Sequence, residues 1–225
     1  MTGLPPAAVI TDIEGTTTPI AFVRDTLFPF ARARLAEALG WASAQPIIAE
    51  VEGMAPGRPA LETLTAWMDA DAKVTPLKDL QGLIWDEGYA SGALRGALYP
   101  DVVHCLRRWA RAGLRLHVYS SGSVHAQRLL FGHSVEGDLT GLFAGFFDTN
   151  VGPKRESESY DRLCIGINTP PHEVLFLSDV EAELDAAASA GLRTCQLVRA
   201  EDGTVASDRH AGAGDFMAVA RAFGL

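Results

Sequence analysis

The spacing of apolar residues near the two ends of the chain differs from their spacing in the segment between them. Residues 7–11 (AAVIT) form a short apolar run that stops at a glycine-containing turn, which predicts a buried strand. After residue 100, similar runs alternate with stretches of three- and four-residue apolar spacing. We predict further strands at 114–120, near 142–147, at 174–178 and at 194–198. We predict helices at 102–111, 123–131, 156–166, 181–190 and 214–223.

The segment between these regions has a helical pattern without strand-like alternation. Its spacing predicts amphipathic helices at 20–39, 59–70 and 76–90. Because a lone strand cannot stand by itself, the first strand must join the later ones, and strand–helix repeats favour a parallel sheet. We therefore expect an α/β fold with two parts: a Rossmann-like, doubly wound parallel-sheet core of residues 1–19 and 96–225, and an inserted all-helical cap of residues 20–95.

Composition and charge narrow the function classes. The 225 residues are 48% hydrophobic and 21% charged, as in soluble globular proteins. The 28 acidic and 19 basic residues leave a net charge of −9, which repels a nucleic-acid backbone. We therefore expect no nucleic-acid partner, although a bound cation would still let an acidic protein receive a small phosphorylated substrate.

No targeting or membrane-spanning segment is predicted. The longest stretches free of Asp, Glu, Lys and Arg span 12 residues, at 38–49 and 116–127, which is too short to cross a bilayer. Cys105, Cys164 and Cys195 form no C-x-x-C pair, which is typical of reduced packing cysteines. We expect a cytoplasmic monomer without a membrane partner.

Polar side chains directly follow three of the predicted strands. Asp12 and Glu14 follow the first strand, Ser120 and Ser121 follow the second, and Asp179 follows the fourth. Ligands bind at the carboxyl ends of the strands in open parallel sheets. We therefore expect these side chains to meet at one edge of the sheet.

Together with Lys154 from the loop VGPKRES, these groups suit phosphoryl transfer. Asp12 and Asp179 offer the carboxylate oxygens that Mg²⁺ prefers, and the other oxygen of Asp12 can attack phosphorus. Glu14 can act as general acid and base, and its main-chain carbonyl can reach the metal. The hydroxyl groups of Ser120 or Ser121 and the ammonium group of Lys154 can stabilise the phosphoryl oxygens.

Longer segments of the sequence resemble those of a known family. The pattern D-x-[DE]-G-T-x-T, with a strand-end Ser, a loop Lys and a strand-end S-D, resembles the haloacid dehalogenase superfamily of phosphotransferases. More narrowly, the chain resembles the acireductone synthases, the enolase-phosphatases of methionine salvage, in DIEGTTTPI (12–20), LQGLIWDEGY (80–89), VYSSGSVHAQRLLFG (118–132), FDT (147–149) and FLSDVEAELDAA (176–187). The resemblance covers most of residues 8–199. The segment VRAEDG (198–203) departs from the VRPGN expected in the family, but it lies away from the four motifs and we expect it to put little in doubt.

The resemblance implies a role for each matched residue. Asp12 would be the nucleophile and a ligand of one Mg²⁺ per subunit, Glu14 would be acid, base and carbonyl ligand, and Asp179 would be the third ligand. It implies that the substrate-binding residues are Ser120, Ser121 and Lys154. Most superfamily phosphatases have Asp where Glu14 stands, so the side chain here is one methylene longer.

The resemblance also implies the substrate, a small phosphorylated diketone. The family enolises 2,3-diketo-5-methylthiopentyl-1-phosphate and then removes its phosphate to give 1,2-dihydroxy-3-keto-5-methylthiopentene, the acireductone. A magnesium-dependent phosphoric monoester hydrolase with enolase activity is therefore expected. Two rival functions stay open, a phosphomonoesterase of the same superfamily acting on another small phosphate, and a catalytically silent regulatory protein.

Several local alternatives also stay open. Ser120 and Ser121 can cap the helix that comes after them. Glu183 can support the metal site or be an exposed helix acid. Trp85 and Tyr89 can form a lid over the methylthio group or belong to the cap core. Finally, the base for the enolisation can be either acidic residue of the first turn.

Overall fold

A parallel β-sheet is the central element of the computed structural model, which describes residues 4–225. Within this range its six strands are β1 Ala8–Thr11, β2 Arg115–Tyr119, β3 Gly145–Phe147, β4 Val174–Ser178, β5 Arg193–Leu197 and β6 Ala211–Ala213. They lie in the order β3-β2-β1-β4-β5-β6, and every neighbouring pair is parallel. The predicted α/β fold with a doubly wound parallel sheet is confirmed.

Strand β1 lies where the strand order reverses. It pairs with β2 on one side and β4 on the other, with Thr11 opposite Val118 and Leu177. All four residues of β1 are buried, as its continuous apolar run predicts. The residues directly after these three strands consequently meet at one edge of the sheet, the place where open parallel sheets bind ligands.

The chain divides into two compact units. The sheet unit comprises the residues up to Ile20 together with Gly96–Leu225, and the helical unit comprises Ala21–Arg95. The helices from residue 20 to residue 90 are α1 Ile20–Phe22, a π-helical segment Val23–Leu27, α2 Phe28–Ala38, a 3-10 turn Ala42–Ala44, α3 Gln45–Met54, α4 Ala60–Asp69 and α5 Thr75–Ala90.

The helical unit has a core of its own. Buried apolar side chains from several of its helices, among them Leu35, Leu64 and Ile84, form one cluster. Helix α5 approaches α2 so closely that a Cβ at Gly88 would lie 2.6 Å from the ring of Phe30. Glycine is therefore required at this helix–helix contact.

Helices also cover the sheet of the other unit. They are α6 Pro100–Arg111, α7 Val124–Gly132, α8 Ser157–Gly166, α9 Glu181–Ser189 and α10 Phe216–Phe223. Short 3-10 turns lie at Thr140–Leu142, Pro171–Glu173 and Ala200–Asp202. Tyr160 of α8 and Leu184 of α9 pack with Phe176 of β4, while Trp109 of α6 stacks on Phe216 of α10 with ring centroids 5.3 Å apart.

Two elements were not predicted. Helix α3 has a proline in its first turn. A helix tolerates proline at that position, but in the sequence the proline suggests a loop. Strand β6 (AGA) has no apolar run and forms by pairing with β5, from Cys195↔Ala211 to Leu197↔Ala213.

All three cysteines lie in the described range and are buried and free. No helix of residues 4–225 has the length and apolar character to cross a bilayer.

Candidate active site

The turn after β1 holds Asp12 at the edge of the sheet. The N–H of Asp12 donates to the Leu177 carbonyl of β4 at 2.9 Å, and the residue is 5% exposed. The turn then closes on itself, because the N–H groups of Thr17 and Thr18 both donate to the Ile13 carbonyl at 2.8 Å. These main-chain bonds fix the position of the Asp12 carboxylate.

Gly15 brings this turn against the loop after β4. Its φ is +69°, and a Cβ at this position would lie 2.5 Å from Asp179 Oδ2. Only glycine combines this left-handed conformation with so close an approach. The turn that carries Asp12 therefore packs directly against the Asp179 carboxylate.

The Lys154 ammonium group lies between two carboxylates. Its Nζ is 2.7 Å from Asp12 Oδ1 and 2.6 Å from Glu183 Oε2, and the side chain is buried. Burial by itself would lower the pKa of Lys154, but the two carboxylates outweigh it and raise that pKa. The Tyr160 hydroxyl donates to the Lys154 carbonyl at 2.7 Å and so holds the loop in place.

Glu183 is buried on α9, and the alternative of an exposed helix acid is wrong. Besides its ion pair with Lys154, it accepts a hydrogen bond from Ser178 Oγ at 3.0 Å. Burial, followed by the negative charge of Asp12, raises the pKa of Glu183. We refer to Asp12, Lys154, Asp179 and Glu183 as the charged cluster.

Asp179 fits a ligand of a divalent cation. Its Oδ1 is buried and has no hydrogen-bond partner among residues 4–225. Burial, followed by the Asp12 carboxylate, raises the pKa of Asp179 to about 7. A hard cation beside both carboxylates would satisfy this oxygen and offset their repulsion.

The donor set is sparse, as a magnesium site would be. In the described part of the chain, no group of three or more His, Cys, Asp or Glu side chains is arranged to hold a metal. Mg²⁺ needs fewer protein side chains, because it keeps several waters and takes ligands from a substrate phosphate. The carboxylates of Asp12 and Asp179 would offer such a cation two protein ligands.

Ser120 and Ser121 differ in environment. Ser120 is buried, and its N–H donates to the Phe147 carbonyl of β3 at 3.1 Å, whereas Ser121 is exposed. The predicted capping role is wrong for both, because Ser123 caps α7 and accepts the Ala126 N–H at 3.2 Å. Both serines nevertheless come directly after β2 at the edge where Asp12 lies.

Glu14 is exposed, two residues after the buried Asp12. It lies on the turn that the Ile13 carbonyl closes and forms an isolated bridge with Thr18. An exposed carboxylate on this turn can exchange protons with water, which a general acid and base must do.

Trp85 belongs to the core of the helical unit. Its Nε1 donates to the Leu27 carbonyl at 3.0 Å, and its ring meets Phe28 edge-on with centroids 6.2 Å apart. Both contacts support the cap-core alternative for Trp85. Tyr89 is buried.

Sequence reasoning missed two residues at the end of β5. Gln196 Nε2 donates to the Asp179 carbonyl at 3.0 Å, and Arg199 Nη2 donates to the Thr16 carbonyl at 2.9 Å. Segment 198–203 is away from the four motifs in the sequence but reaches the site in the fold, because Arg199 binds the turn that carries Asp12. Polar residues at the buried end of a parallel strand are the signal that could have revealed this support.

Comparison with known proteins defines the family. The sequence profile of haloacid dehalogenase-like hydrolases matches residues 6–191. The chain is 59% identical over 226 aligned residues to enolase-phosphatase E1 of Granulibacter bethesdensis, with 98% of each chain covered. It belongs to the enolase-phosphatase E1 family of these hydrolases. Enolase-phosphatase E1 of Gluconacetobacter diazotrophicus is 55% identical, over 97% of this chain and 94% of that relative.

Solved structures have the same fold as this E1 family member. The UTR4 protein from Saccharomyces cerevisiae superposes with a TM-score of 0.82 at 32% identity, covering 94% of this chain and 98% of that one. CbbY from Rhodobacter sphaeroides, solved in complex with phosphate, has a TM-score of 0.67 at 18% identity, covering 98% and 100%. At that identity, the second likeness shows the fold alone.

Proposed function

We propose that this E1 family member is a bifunctional enolase-phosphatase of methionine salvage. It converts 2,3-diketo-5-methylthiopentyl-1-phosphate into 1,2-dihydroxy-3-keto-5-methylthiopentene and phosphate, with one Mg²⁺ per subunit. The observation that carries the proposal is the buried ion pair of Asp12 and Lys154 next to Asp179, in a chain 59% identical to an enolase-phosphatase E1.

The charged cluster suits transfer of the phosphoryl group to Asp12. A carboxylate oxygen of Asp12 would attack phosphorus while the bond to the substrate oxygen breaks, and Glu14 would protonate that oxygen. Glu14 would then take a proton from the water that attacks the aspartyl-phosphate, which releases phosphate and restores Asp12. Lys154 with the hydroxyl groups of Ser120 and Ser121 would stabilise the charge on the phosphoryl oxygens.

The proposed cation site consists of the carboxylates of Asp12 and Asp179 and the main-chain carbonyl of Glu14. The unsatisfied Oδ1 and raised pKa of Asp179 support this site. When bound, Mg²⁺ would neutralise phosphate charge and polarise the substrate carbonyl.

Enolisation needs a base that removes a proton beside a carbonyl group. Asp12 is buried and paired with Lys154, whereas Glu14 is exposed on the same turn. This difference favours Glu14 as the base, with Asp12 reserved for attack on phosphorus. The two steps would then depend on different carboxylates of one turn.

A direct assay with Mg²⁺ and the diketo phosphate tests the proposal, with enol absorbance and phosphate release followed separately. We expect both signals from the wild type, and Asp12→Asn should form enol but release no phosphate, with its circular dichroism unchanged. The proposal fails if the wild type releases no phosphate from this substrate. Faster turnover of phosphoglycolate would instead indicate an ordinary phosphomonoesterase.

A cytoplasmic location and a monomeric state stay predictions. The location rests on the cysteine pattern of the sequence rather than on the site. Sedimentation velocity at several protein concentrations tests the monomer, since a mass near twice 24.0 kDa would contradict it.

A further inference from the structure

Arg199 lies in a buried setting that fixes its guanidinium group. The side chain is 3% exposed, and its Nη1 and Nη2 lie 2.9 and 3.1 Å from the two carboxylate oxygens of Asp101. Its Cζ lies 3.9 Å from the ring centroid of Tyr99, and Nη1 also donates to the Gly214 carbonyl at 3.3 Å. The ion pair and the ring together orient the planar group.

From this position Arg199 reaches the main chain of the turn that follows β1 and carries Asp12. Its Nη2 donates to the Thr16 carbonyl at 2.9 Å, and this bond is buried. The next carbonyl of the turn, that of Thr17, accepts the N–H of Tyr99 at 3.0 Å. The residue whose ring stacks on Arg199 therefore holds the adjacent peptide group.

The Thr16 carbonyl is one peptide away from the contact between the turn and Asp179. Gly15 immediately precedes Thr16, and a Cβ at Gly15 would lie 2.5 Å from Asp179 Oδ2. A rotation of the peptide after Thr16 would therefore change the separation between the Asp12 turn and the Asp179 carboxylate. A buried ion pair alone is weak evidence for stability. Because Arg199 also donates to the Thr16 carbonyl, its ion pair with Asp101 holds the turn in place as well.

We propose that Arg199 is a positioning residue for the reaction. Through the Thr16 carbonyl it fixes the turn against Asp179 and so sets the geometry in which Asp12 and Asp179 receive a cation. Lysine cannot replace it, because one ammonium group cannot match both oxygens of Asp101 and still reach Thr16 in a planar fork. The inference rests on the proposed function only in requiring a cation at these two carboxylates.

The test compares Arg199→Lys with Leu106→Ala, which removes buried contacts of α6 but no hydrogen bond of the turn. Mg²⁺ affinity is measured by isothermal titration calorimetry, and amide hydrogen exchange is measured in the peptide covering residues 12–18. We expect Arg199→Lys to weaken Mg²⁺ binding about 10-fold, as loss of a ligand-orienting contact does. Exchange in the turn should accelerate, while Leu106→Ala at a matched loss of thermal stability keeps both readouts near wild type.

If Arg199→Lys does not fold, the double variant Arg199→Met/Asp101→Asn removes the same donor without leaving an unpaired charge, and the same two changes are expected. Wild-type Mg²⁺ affinity and turn exchange in the folded variant, or equal changes in Leu106→Ala, would overturn the inference. A wild type that binds Mg²⁺ but releases no phosphate from the diketo phosphate contradicts the proposed function instead, and a weakened Arg199→Lys variant would still support the positioning role.

Discussion

The ion pairs described in the two units of this protein differ in how deeply the most buried of them lie. In the helical unit, ion pairs such as Arg32–Asp69 and Lys73–Asp71 join side chains that are 48–75% exposed. The sheet unit also has an exposed pair, Arg209–Glu181, but in addition it buries Lys154, which is 8% exposed, between two carboxylates. The exposed pairs cost little to form and contribute little, whereas a buried charge needs partners to offset its lost hydration.

This difference indicates where the chemistry lies. Apolar residues of similar volume often stabilise a core as well as a buried ion pair does. The charged cluster also contains Asp179, whose surroundings raise its pKa instead of stabilising its charged form. Groups of this kind at the carboxyl ends of parallel strands mark a functional site.

The largest expected effect comes from removing the ammonium group of Lys154. Lys154→Met leaves the carboxylates of Asp12 and Glu183 buried together, so we expect a loss of about 3 kcal/mol in the free energy of unfolding. Phosphate release should fall by about 100-fold or more, because the phosphoryl charge loses its stabilising ammonium group. Lys73→Met, at a 62% exposed position, is the matched control and should change neither quantity. Equal losses in the two variants would show that burial does not distinguish these lysines.

Gly15→Ala should be the next most damaging change. It places a Cβ both in the left-handed region and 2.5 Å from Asp179 Oδ2. Gly113 has a φ of +84° but nothing within 4 Å of its Cβ position among the described residues, so it is the matched control. We expect Gly113→Ala to lose about 1 kcal/mol of stability and Gly15→Ala to lose more, because the clash adds to the backbone strain. Only Gly15→Ala should lose about 100-fold in phosphate release through misplacement. Similar activity in the two variants would show that the close approach does not matter.

A buried histidine outside the charged cluster gives a smaller effect that depends on pH. Burial, followed by the charge of Arg115, lowers the pKa of His117 from 6.5 to about 4. The unfolded chain thus binds more protons than the folded one between these values, so this residue's contribution to stability falls as the pH drops from about 6.5 to about 4.

Denaturant unfolding of the wild type and His117→Phe from pH 4 to pH 8 measures this contribution. We expect the difference between the two proteins to change by about 3 kcal/mol over that window, in the direction that destabilises the wild type in acid. The comparison cancels the opposite contributions of Asp179 and Glu183, whose pKa values are raised. A constant difference would mean that the pKa of His117 is the same in the folded and unfolded states, which would contradict the prediction.

The smallest effect is expected for an exposed ion pair of the helical unit. A double-mutant cycle on Arg32→Ala and Asp69→Ala should give a coupling energy of about 0.5 kcal/mol or less, despite an Nη1–Oδ1 distance of 2.5 Å. The coupling should shrink further in 0.5 M salt, since exposed charges are screened. A coupling as large as the effect of Lys154→Met would remove the contrast between the units.

Most elements of the fold could be predicted because their signals are local. A continuous apolar run predicts β1 and β4 as strands. Apolar residues at three- and four-residue spacing predict α5 and α6 as helices. Both signals lie within a few residues of the chain. Strand β6 lacks such a signal and forms only by pairing with β5. Helix α3 has the apolar spacing of a helix, from Ile47 to Val51 and Met54, but the proline in its first turn also fits a loop. Asp12 and Asp179 could be chosen because the carboxyl ends of parallel strands lie at one edge of the sheet. Lys154 could be chosen because its charge suits the same phosphate chemistry.

The order of residues along the chain specifies which residue types follow each strand, and hence the candidate chemistry of this hydrolase. The surroundings of these residues are set instead by the tertiary structure. It buried Glu183 against Lys154, placed Ser123 rather than Ser120 or Ser121 as the helix cap, and brought Arg199 to the Thr16 carbonyl 183 residues away. Burial and hydrogen bonding between distant elements depend on strand order and packing, which no local pattern encodes.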